Sequence, residues 1–435
     1  RTAVRPPARR EHHQRGVLTL ADNSPVQHEI PTRRDVIRSG GALVGGGLLA
    51  GCLGGDNSST TPTATENEQA TTATDTATET NRQTEQSYSV TMAPGGTIEF
   101  EEPPTNVMVY NLLYADMAVA YGYEEAVNSL GFSTEVGGAL DAFYERLDGV
   151  SFDYDSLTQL NTGSGNLTVD VELFYELDSD LHLVDPALVA SFDGWSVDDV
   201  TEITENIAPF FGNNYSRRNT EPPEAYRGDY EYYTLWEISE KVAQVFQAQQ
   251  RYEALASIHD DLVTTIQSDL PSEADRPTVG SVLYMDETFY PAKINSPGFA
   301  NAHLRPLGAT DAFAEGDVSY ESAYDFETML EIDPDIILHR YGYSYYDVAA
   351  IRDELADNAV GQQLSAVQND HFYAGGNPLQ GPVMNLFQIE MTAKQLYPEV
   401  FGEWATYTDG PYPEIPDDEQ LFDRQRVANI INGEF

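Results

Sequence analysis

The sequence is short of three things: thiols, lysines and catalytic signatures. Cys52 is the one cysteine in 435 residues, so no disulfide can form within the chain. Lys241, Lys293 and Lys394 are the only lysines, set against 71 Asp and Glu, and the net charge is −48. A surface of that sign repels phosphates and excludes nucleic acid as a partner. The chain has no Gly-x-Ser-x-Gly elbow and no Gly-rich phosphate loop with a lysine, and its one thiol lies in a targeting segment. Beyond Cys52 the histidines are His182, His259, His303, His339 and His371, with no i, i+4 pair and no His-rich loop. No catalytic residue, resident metal or cofactor is expected from this set.

What is present is acid, spread along the chain rather than clustered. Dispersed Asp and Glu with almost no Lys fit a surface adapted to molar salt, where the Debye length is about 3 Å and self-repulsion is screened. Hydrophobic residues make up 41%, enough for a globular fold, and the length predicts two domains.

The amino-terminal part reads as targeting. Residues 1–31 carry no readable signal and are set aside as a possible overextended start. Thr32-Arg-Arg-Asp-Val-Ile-Arg38 is a twin-arginine pattern, followed by the short apolar run Gly40–Leu49. That run is well below the roughly 20 residues of a membrane span. It ends in Leu49-Ala-Gly-Cys52, which resembles a lipoprotein cleavage box with Cys52 as the lipidated residue. Residues 1–52 are therefore the expected signal. Residues 53–87 are Thr, Ser, Glu, Asn and Gln with few apolar groups, too little to offset ordering entropy. They read as a tether spanning roughly 30 Å. The expected location is the extracytoplasmic face, anchored by lipid after twin-arginine export.

The folded part contains a repeat. Glu172-Leu-Phe-Tyr-Glu-Leu-Asp-Ser-Asp-Leu-His-Leu-Val184 returns as Glu327-Thr-Met-Leu-Glu-Ile-Asp-Pro-Asp-Ile-Ile-Leu-His339. Each copy reads as a short helix, a turn at two Asp, and a buried strand: Leu181–Val184 and Ile336–Leu338. Asp178, Asp180, Asp333 and Asp335 are read as turn caps rather than as a binuclear metal site. Asn106–Tyr110 and Leu130–Phe132 read as strands, with Ala115–Tyr121 a helix stopped at Gly122. From Tyr233 to Leu270 apolar residues recur at 3–4 spacing without Pro or Gly. This predicts one helix of about 55 Å, ended by Pro271. Thr278–Tyr284 restarts a strand, His303–Ala309 reads as a helix with its Gly stop, and Pro382–Tyr397 as a final helix. After Trp404 an extended tail is expected. The resulting lobes are 88–232 and 272–435, joined by 233–271.

Several stretches together carry a family resemblance. Pro104-Thr-Asn-Val-Met-Val109 opens the first lobe, and each lobe has the Glu–Asp–strand unit. Ala208-Pro-Phe210 precedes the long helix, and Pro382-Val-Met-Asn-Leu-Phe-Gln-Ile-Glu390 with Leu396-Tyr-Pro-Glu399 closes the chain. Over residues 88–404 the chain resembles the solute-binding lipoproteins of ABC importers for ferric siderophores, haem and cobalamin. The resemblance implies an α/β fold of two Rossmann-like lobes with parallel sheets, joined by one long rigid helix, with a ligand cleft between them. It implies a permease and its ATPase as partners, and no enzyme activity. It also implies that Glu172 and Glu327 dock on permease arginines; alternatively both are solvated first-turn residues favoured by the helix dipole.

A ferric siderophore, with a hydroxamate-type chelate as the expected form, needs Arg for charge and Tyr for stacking and donation. Arg340 follows a buried strand, Arg217 and Arg218 lie in the loop leaving the first lobe, and Arg305 lies after the Tyr290–Pro297 loop. Tyr110, Tyr114, Tyr284, Tyr341 and Tyr343 fall at or just beyond strand ends. For each arginine a surface salt bridge is the rival reading. Cobalamin or haem capture is the runner-up function, and a sensory lipoprotein of the same fold ranks below it.

Overall fold

The computed structural model describes residues 87–161, 168–319, 321–405 and 411–435. The twin-arginine segment, Cys52 and the tether lie outside the described residues. Among those described, no helix is long and apolar enough to cross a membrane.

The first sheet is wholly parallel, in the order β5 (Thr158–Gln159), β4 (Val127–Leu130), β3 (Val107–Val109), β6 (Leu181–Leu183). Every residue of β3 and β6 is buried, as central parallel strands covered on both faces must be. β4 ends at Leu130, and Phe132 instead caps the helix Ser133–Tyr144, so the strand lies a little earlier than expected. The second sheet runs β11 (Phe372–Ala374), β10 (Ile336–His339), β7 (Thr278–Met285), β8 (Thr288–Ala292), with β9 (Thr310–Asp311) also on β7. β7 and β8 form an antiparallel hairpin and the other pairs are parallel. A further hairpin, β1 (Tyr88–Met92) with β2 (Gly96–Phe100), opens the described chain. Its Val90, Met92, Ile98 and Phe100 alternate inward against solvent-facing neighbours.

The two copies of the repeat fold alike. Helices Val171–Leu177 and Phe326–Ile332 are each capped by an aspartate, Asp170 and Asp325, that accepts a first-turn N–H. Each ends on a left-handed aspartate, Asp178 at φ 44° and Asp333 at φ 41°. The next aspartate ties the turn to the neighbouring strand. Asp180 Oδ2 accepts from the N–H groups of Thr105 and Asn106, and Asp335 Oδ2 from the N–H and hydroxyl of Thr278. The aspartates thus cap and tie as expected, at the amino ends of β3 and β7. No group of three His, Cys, Asp or Glu able to hold a metal occurs among the described residues.

The expected single linking helix is two. Leu235–Val245 and Gln249–Asp269 are separated at Phe246–Ala248. The Ala248 N–H reaches Ala243 O at 2.8 Å and Gln247 adopts φ 54°, a Schellman ending with Gln where Gly is usual. Phe246, buried at the break, stacks on Tyr123 at 4.6 Å. No Gly or Pro marks the stop, and the longer piece spans about 30 Å rather than 55 Å.

The joint between the halves is the helix Pro382–Leu396, all fifteen residues of which are buried. It packs against Leu112–Tyr121 of the first half and both linking helices. Asp116, fully buried, accepts the Val383 N–H at 2.9 Å and the Tyr144 hydroxyl at 2.6 Å. A first-half carboxylate therefore caps a second-half helix, where the dipole favours a negative charge. Gly381 permits the approach: a Cβ there would lie 2.3 Å from Asp116 Oδ2.

The tail is not simply extended. After Pro416 it forms the helix Arg424–Ile431, which packs on Gln249–Asp269 and Leu112–Tyr121. Val427, Ile430 and Ile431 supply its apolar face. Arg424 bonds the fully buried Glu390 at 2.6 Å beneath the rings of Phe387, Tyr412 and Phe422.

Candidate functional site

A small pocket, about the size of a water molecule, opens where the second sheet's strands exit, the place at which open α/β sheets take ligands. Ser281 and Leu338 line it from β7 and β10, and Arg340 stands just beyond β10. The turn Ala300–Leu304 forms one wall, and Gly375, Gly376 and Pro378 beyond β11 form another. None of these lining residues is acidic.

Arg340 is placed by its backbone, whose N–H donates to Val282 O at 2.7 Å. Its guanidinium lies 5.8 Å from the ring of Tyr341, which in turn sits 6.0 Å from Tyr345. His303 is buried in the pocket wall, and its Nδ1 lies 2.9 Å from Gln380 Nε2. Burial, then the charges of Arg305 and Arg340, push its pKa down to about 3, so the imidazole is neutral at ordinary pH. With Gln380 donating to Nδ1, the proton sits on Nε2 and makes it a donor.

The wall is held from behind by a buried amide network. Gln380 Nε2 also donates to Phe299 O, and its Oε1 accepts from Asn385 and Gln388. Gln388 in turn accepts the Asn377 N–H, and Asn385 Oδ1 accepts from Trp236 of the first linking helix. Every amide has a partner, as a rigid buried polar network requires.

Across the cleft, the loop after Phe211 approaches this wall from the first half. Gly298 takes φ 105°, and a Cβ on it would lie 2.6 Å from Ser216 O and Arg217 O, so only glycine fits. The loop is strongly fixed. Fully buried Asp185, at the exit of β6, accepts from Ala187 N–H (2.8 Å), Asn214 N–H (2.6 Å) and the Tyr230 hydroxyl (2.6 Å). Tyr230 oxygen in turn accepts the Tyr215 N–H at 2.9 Å, and Tyr114 oxygen accepts the Asn213 N–H at 2.6 Å. Arg217 Nε donates to Asn219, and exposed Arg218 lies 3.4 Å over the Tyr232 ring. Arg305 Nη1 donates to Ser296 O and Gly298 O, so that side chain braces the same turn.

Of the expected ligand residues, Arg340 lines the pocket, Tyr341 stands next to it, and Arg217, Arg218 and Arg305 gather around Gly298. The rival salt-bridge reading does not hold for Arg217, Arg218 or Arg305, whose partners are amide and carbonyl oxygens or a ring. Four tyrosines depart from the expectation. Tyr114 lies in the core under the loop, and Tyr284 packs on Phe289 and donates to Glu354 at 2.6 Å. Tyr343 is buried against Phe143 and Tyr412, and Tyr110 against Phe192. Helix periodicity turns Tyr114 inward and strand alternation turns Tyr284, while Tyr110 and Tyr343, outside regular elements, are held inward by ring packing. Ser281, Asn301, His303 and the Gly375–Gly376 pair were not expected; the one signal for them was the Gly-Gly-Asn-Pro turn.

Glu172 and Glu327 both occupy the second position of their helices, exposed, and their carboxylates make no hydrogen bond or ion pair to another described residue.

No curated protein matches the chain in sequence. Among solved structures, a periplasmic binding protein of Veillonella parvula is 17% identical with TM-score 0.51, covering 71% of this chain and 97% of its own. A periplasmic solute-binding protein of Mycobacterium smegmatis gives 16% and 0.51, with 72% and 98% covered. A petrobactin-binding protein of Bacillus subtilis gives 14% and 0.50, with 72% and 97% covered. These likenesses establish the two-lobed α/β fold. The family profile described as periplasmic binding protein matches residues 171–379, from the first repeat unit to the far wall of the pocket.

Proposed function

We propose that this chain is the extracytoplasmic solute-binding component of an ABC importer, capturing a ferric siderophore between lobes 88–232 and 272–435. The observation that carries the reading is the juxtaposition at Gly298. A pocket with Arg340 and His303 on one half meets a braced, arginine-bearing loop from the other. A hydroxamate-type chelate, rich in carbonyl oxygens, would accept from these donors, and the similarity to a petrobactin-binding protein supports a siderophore over a corrinoid. Lipid on Cys52, after twin-arginine export, would hold the domain near its permease and ATPase on a tether, in molar salt. Glu172 and Glu327, matched in position and with no side-chain partner among the described residues, would be the two docking points.

Two measurements test this. Tyrosine and tryptophan quenching of the full chain in 1 M salt, against ferric aerobactin, ferrioxamine B, haemin and cyanocobalamin, should show binding of a ferric chelate. No quenching by either chelate would sink the reading, and tighter binding of cyanocobalamin or haemin would replace it. Exchanging Glu172 and Glu327 for Arg should abolish uptake while leaving ligand affinity unchanged; a fall in affinity would make both glutamates structural.

A further inference from the structure

The two halves are tied by more than the linking helices. We propose that residues 411–435 form a strap, pinned at Tyr412, that fixes the halves relative to one another. The spacing of the helices bearing Glu172 and Glu327 is then set before any partner or ligand is met. Such a strap is independent of which ligand the protein takes.

Halves of one chain move against each other by default unless a large apolar interface or a further tie prevents it. Here the linker is broken at Phe246–Ala248, so it does not act as one rigid rod. The tail reaches both halves. The N–H of fully buried Tyr412 donates to Ala142 O at 2.6 Å, and its carbonyl accepts from Arg146 Nε, both in the first half. Its hydroxyl lies 3.2 Å from Phe387 O and donates to Glu390 Oε1 at 2.9 Å, both on the helix Pro382–Leu396. Its ring packs 5.8 Å from Phe143 and 4.9 Å from Phe387, so one side chain touches both halves. Further along, the helix Arg424–Ile431 lies on Gln249–Asp269 and Leu112–Tyr121. Asn432 Nδ2 then donates to Asp148 O in the first half at 3.0 Å.

Glu390 keeps the strap closed. It is fully buried, and among the described residues its donors are the Tyr412 hydroxyl, the Leu421 N–H and Arg424 Nη2, all in the tail. If the tail lifted away, the helix that joins the halves would carry a buried carboxylate without a partner. That state is strongly unfavourable.

Distances measured across the halves test this. In the full chain carrying Cys52→Ser, spin labels at Glu176→Cys and Glu331→Cys sit at matching exposed positions of the two repeat helices. Pulsed dipolar spectroscopy should give one narrow distance in this parent. Tyr412→Ala should shift or broaden it by about 2 Å or more, the scale on which packed elements slide. Arg146→Ala combined with Asn432→Ala cuts only side-chain ties to the first half, from positions that are half-buried and exposed. That pair should broaden the distance less, and it decides the matter if Tyr412→Ala does not fold. Leu355→Ala, a core truncation within the second half, controls for destabilisation alone and should leave the width unchanged. A broad distance in the parent, an unchanged one in the folded double variant, or equal broadening from Leu355→Ala overturns the strap.

Discussion

The same step along the repeat leads from Glu172 to Asp185 and from Glu327 to Arg340, so the two halves place opposite charges at matching strand exits. Up to that point they share their parts: an aspartate N-cap, an exposed glutamate, a buried fourth residue, a left-handed aspartate and an aspartate tied to the next strand. Beyond it they diverge. Asp185 is fully buried and organises the loop of its own half; Arg340 faces the pocket. The repeated scaffold is what backbone geometry demands of a helix–turn–strand unit. The exits are free to differ, and one half uses its exit to hold a loop while the other turns its exit into a pocket wall.

The largest expected effect tests the shared part. Phe174 and Met329 occupy the same helical position and are both buried, Phe174 against His182, Trp195 and Phe210. Phe174→Ala should cost about 3–5 kcal/mol and Met329→Ala about 2–5 kcal/mol in denaturant melts. A loss under about 1 kcal/mol at either site would mean that the two units are alike in sequence but not in support.

This shared part was the part legible in the sequence. The Glu–Asp unit, the Gly122 stop and the buried strands follow from local periodicity and turn chemistry, which one sequence displays. What was hidden depends on where a side chain finally points. Tyr284 lies within β7, and its alternation sends the ring to Phe289 rather than to the cleft. The break at Gln247 has no Gly or Pro to announce it; burial of Phe246 decides it. His303 and Ser281 lie far apart in sequence and become neighbours only when the second sheet closes. Arg340 was readable because a charge directly after a four-residue buried strand has one direction left to take.

A middle-sized effect separates the two exits by pH. Burial pushes the Asp185 carboxyl up to about 6, against the stabilising bonds from Tyr230 and Asn214. The titratable groups facing it are Tyr114, Tyr215, Tyr226 and Tyr230, all of which stay protonated in this range. A folded-state value above the unfolded one, about 3.9, means that the group stabilises the fold below about pH 4. That contribution is lost as pH rises through about 6. The loss is on the order of 3 kcal/mol for a shift of this size, and Asp116, also raised to about 6 by burial, adds a similar share. Asp185→Asn should therefore lose less stability than the parent between pH 4.5 and 7.5, in melts at fixed salt. It should also speed amide exchange at Ala187 or Asn214, since an amide offers one acceptor oxygen where the carboxylate offers two. No comparable step is expected from Arg340, since a guanidinium keeps its charge throughout. An unchanged pH profile in Asp185→Asn would remove the carboxylate from its organising role.

The smallest effect lies on the helices' outer faces, where the halves differ without any shared demand. Val171 is 42% and Tyr175 48% exposed, while of their counterparts Phe326 is only 9% exposed and Leu330 is half-buried. The reason is architectural: β8 and the turn Gly361–Gln363 pack over the second helix, and among the described residues the first sheet has no antiparallel hairpin to do the same. Two apolar side chains left open beside Glu172, one helical turn apart, contribute little to folding, because exposed positions rarely matter by more than about 0.5 kcal/mol. Replacing both Val171 and Tyr175 with Ser should leave the melting transition and chelate affinity within error. If the first half docks through this face, the same variant should weaken capture by permease-containing vesicles. A matching loss from Ser at Leu330 would show instead that the two docking faces are equivalent despite their different cover.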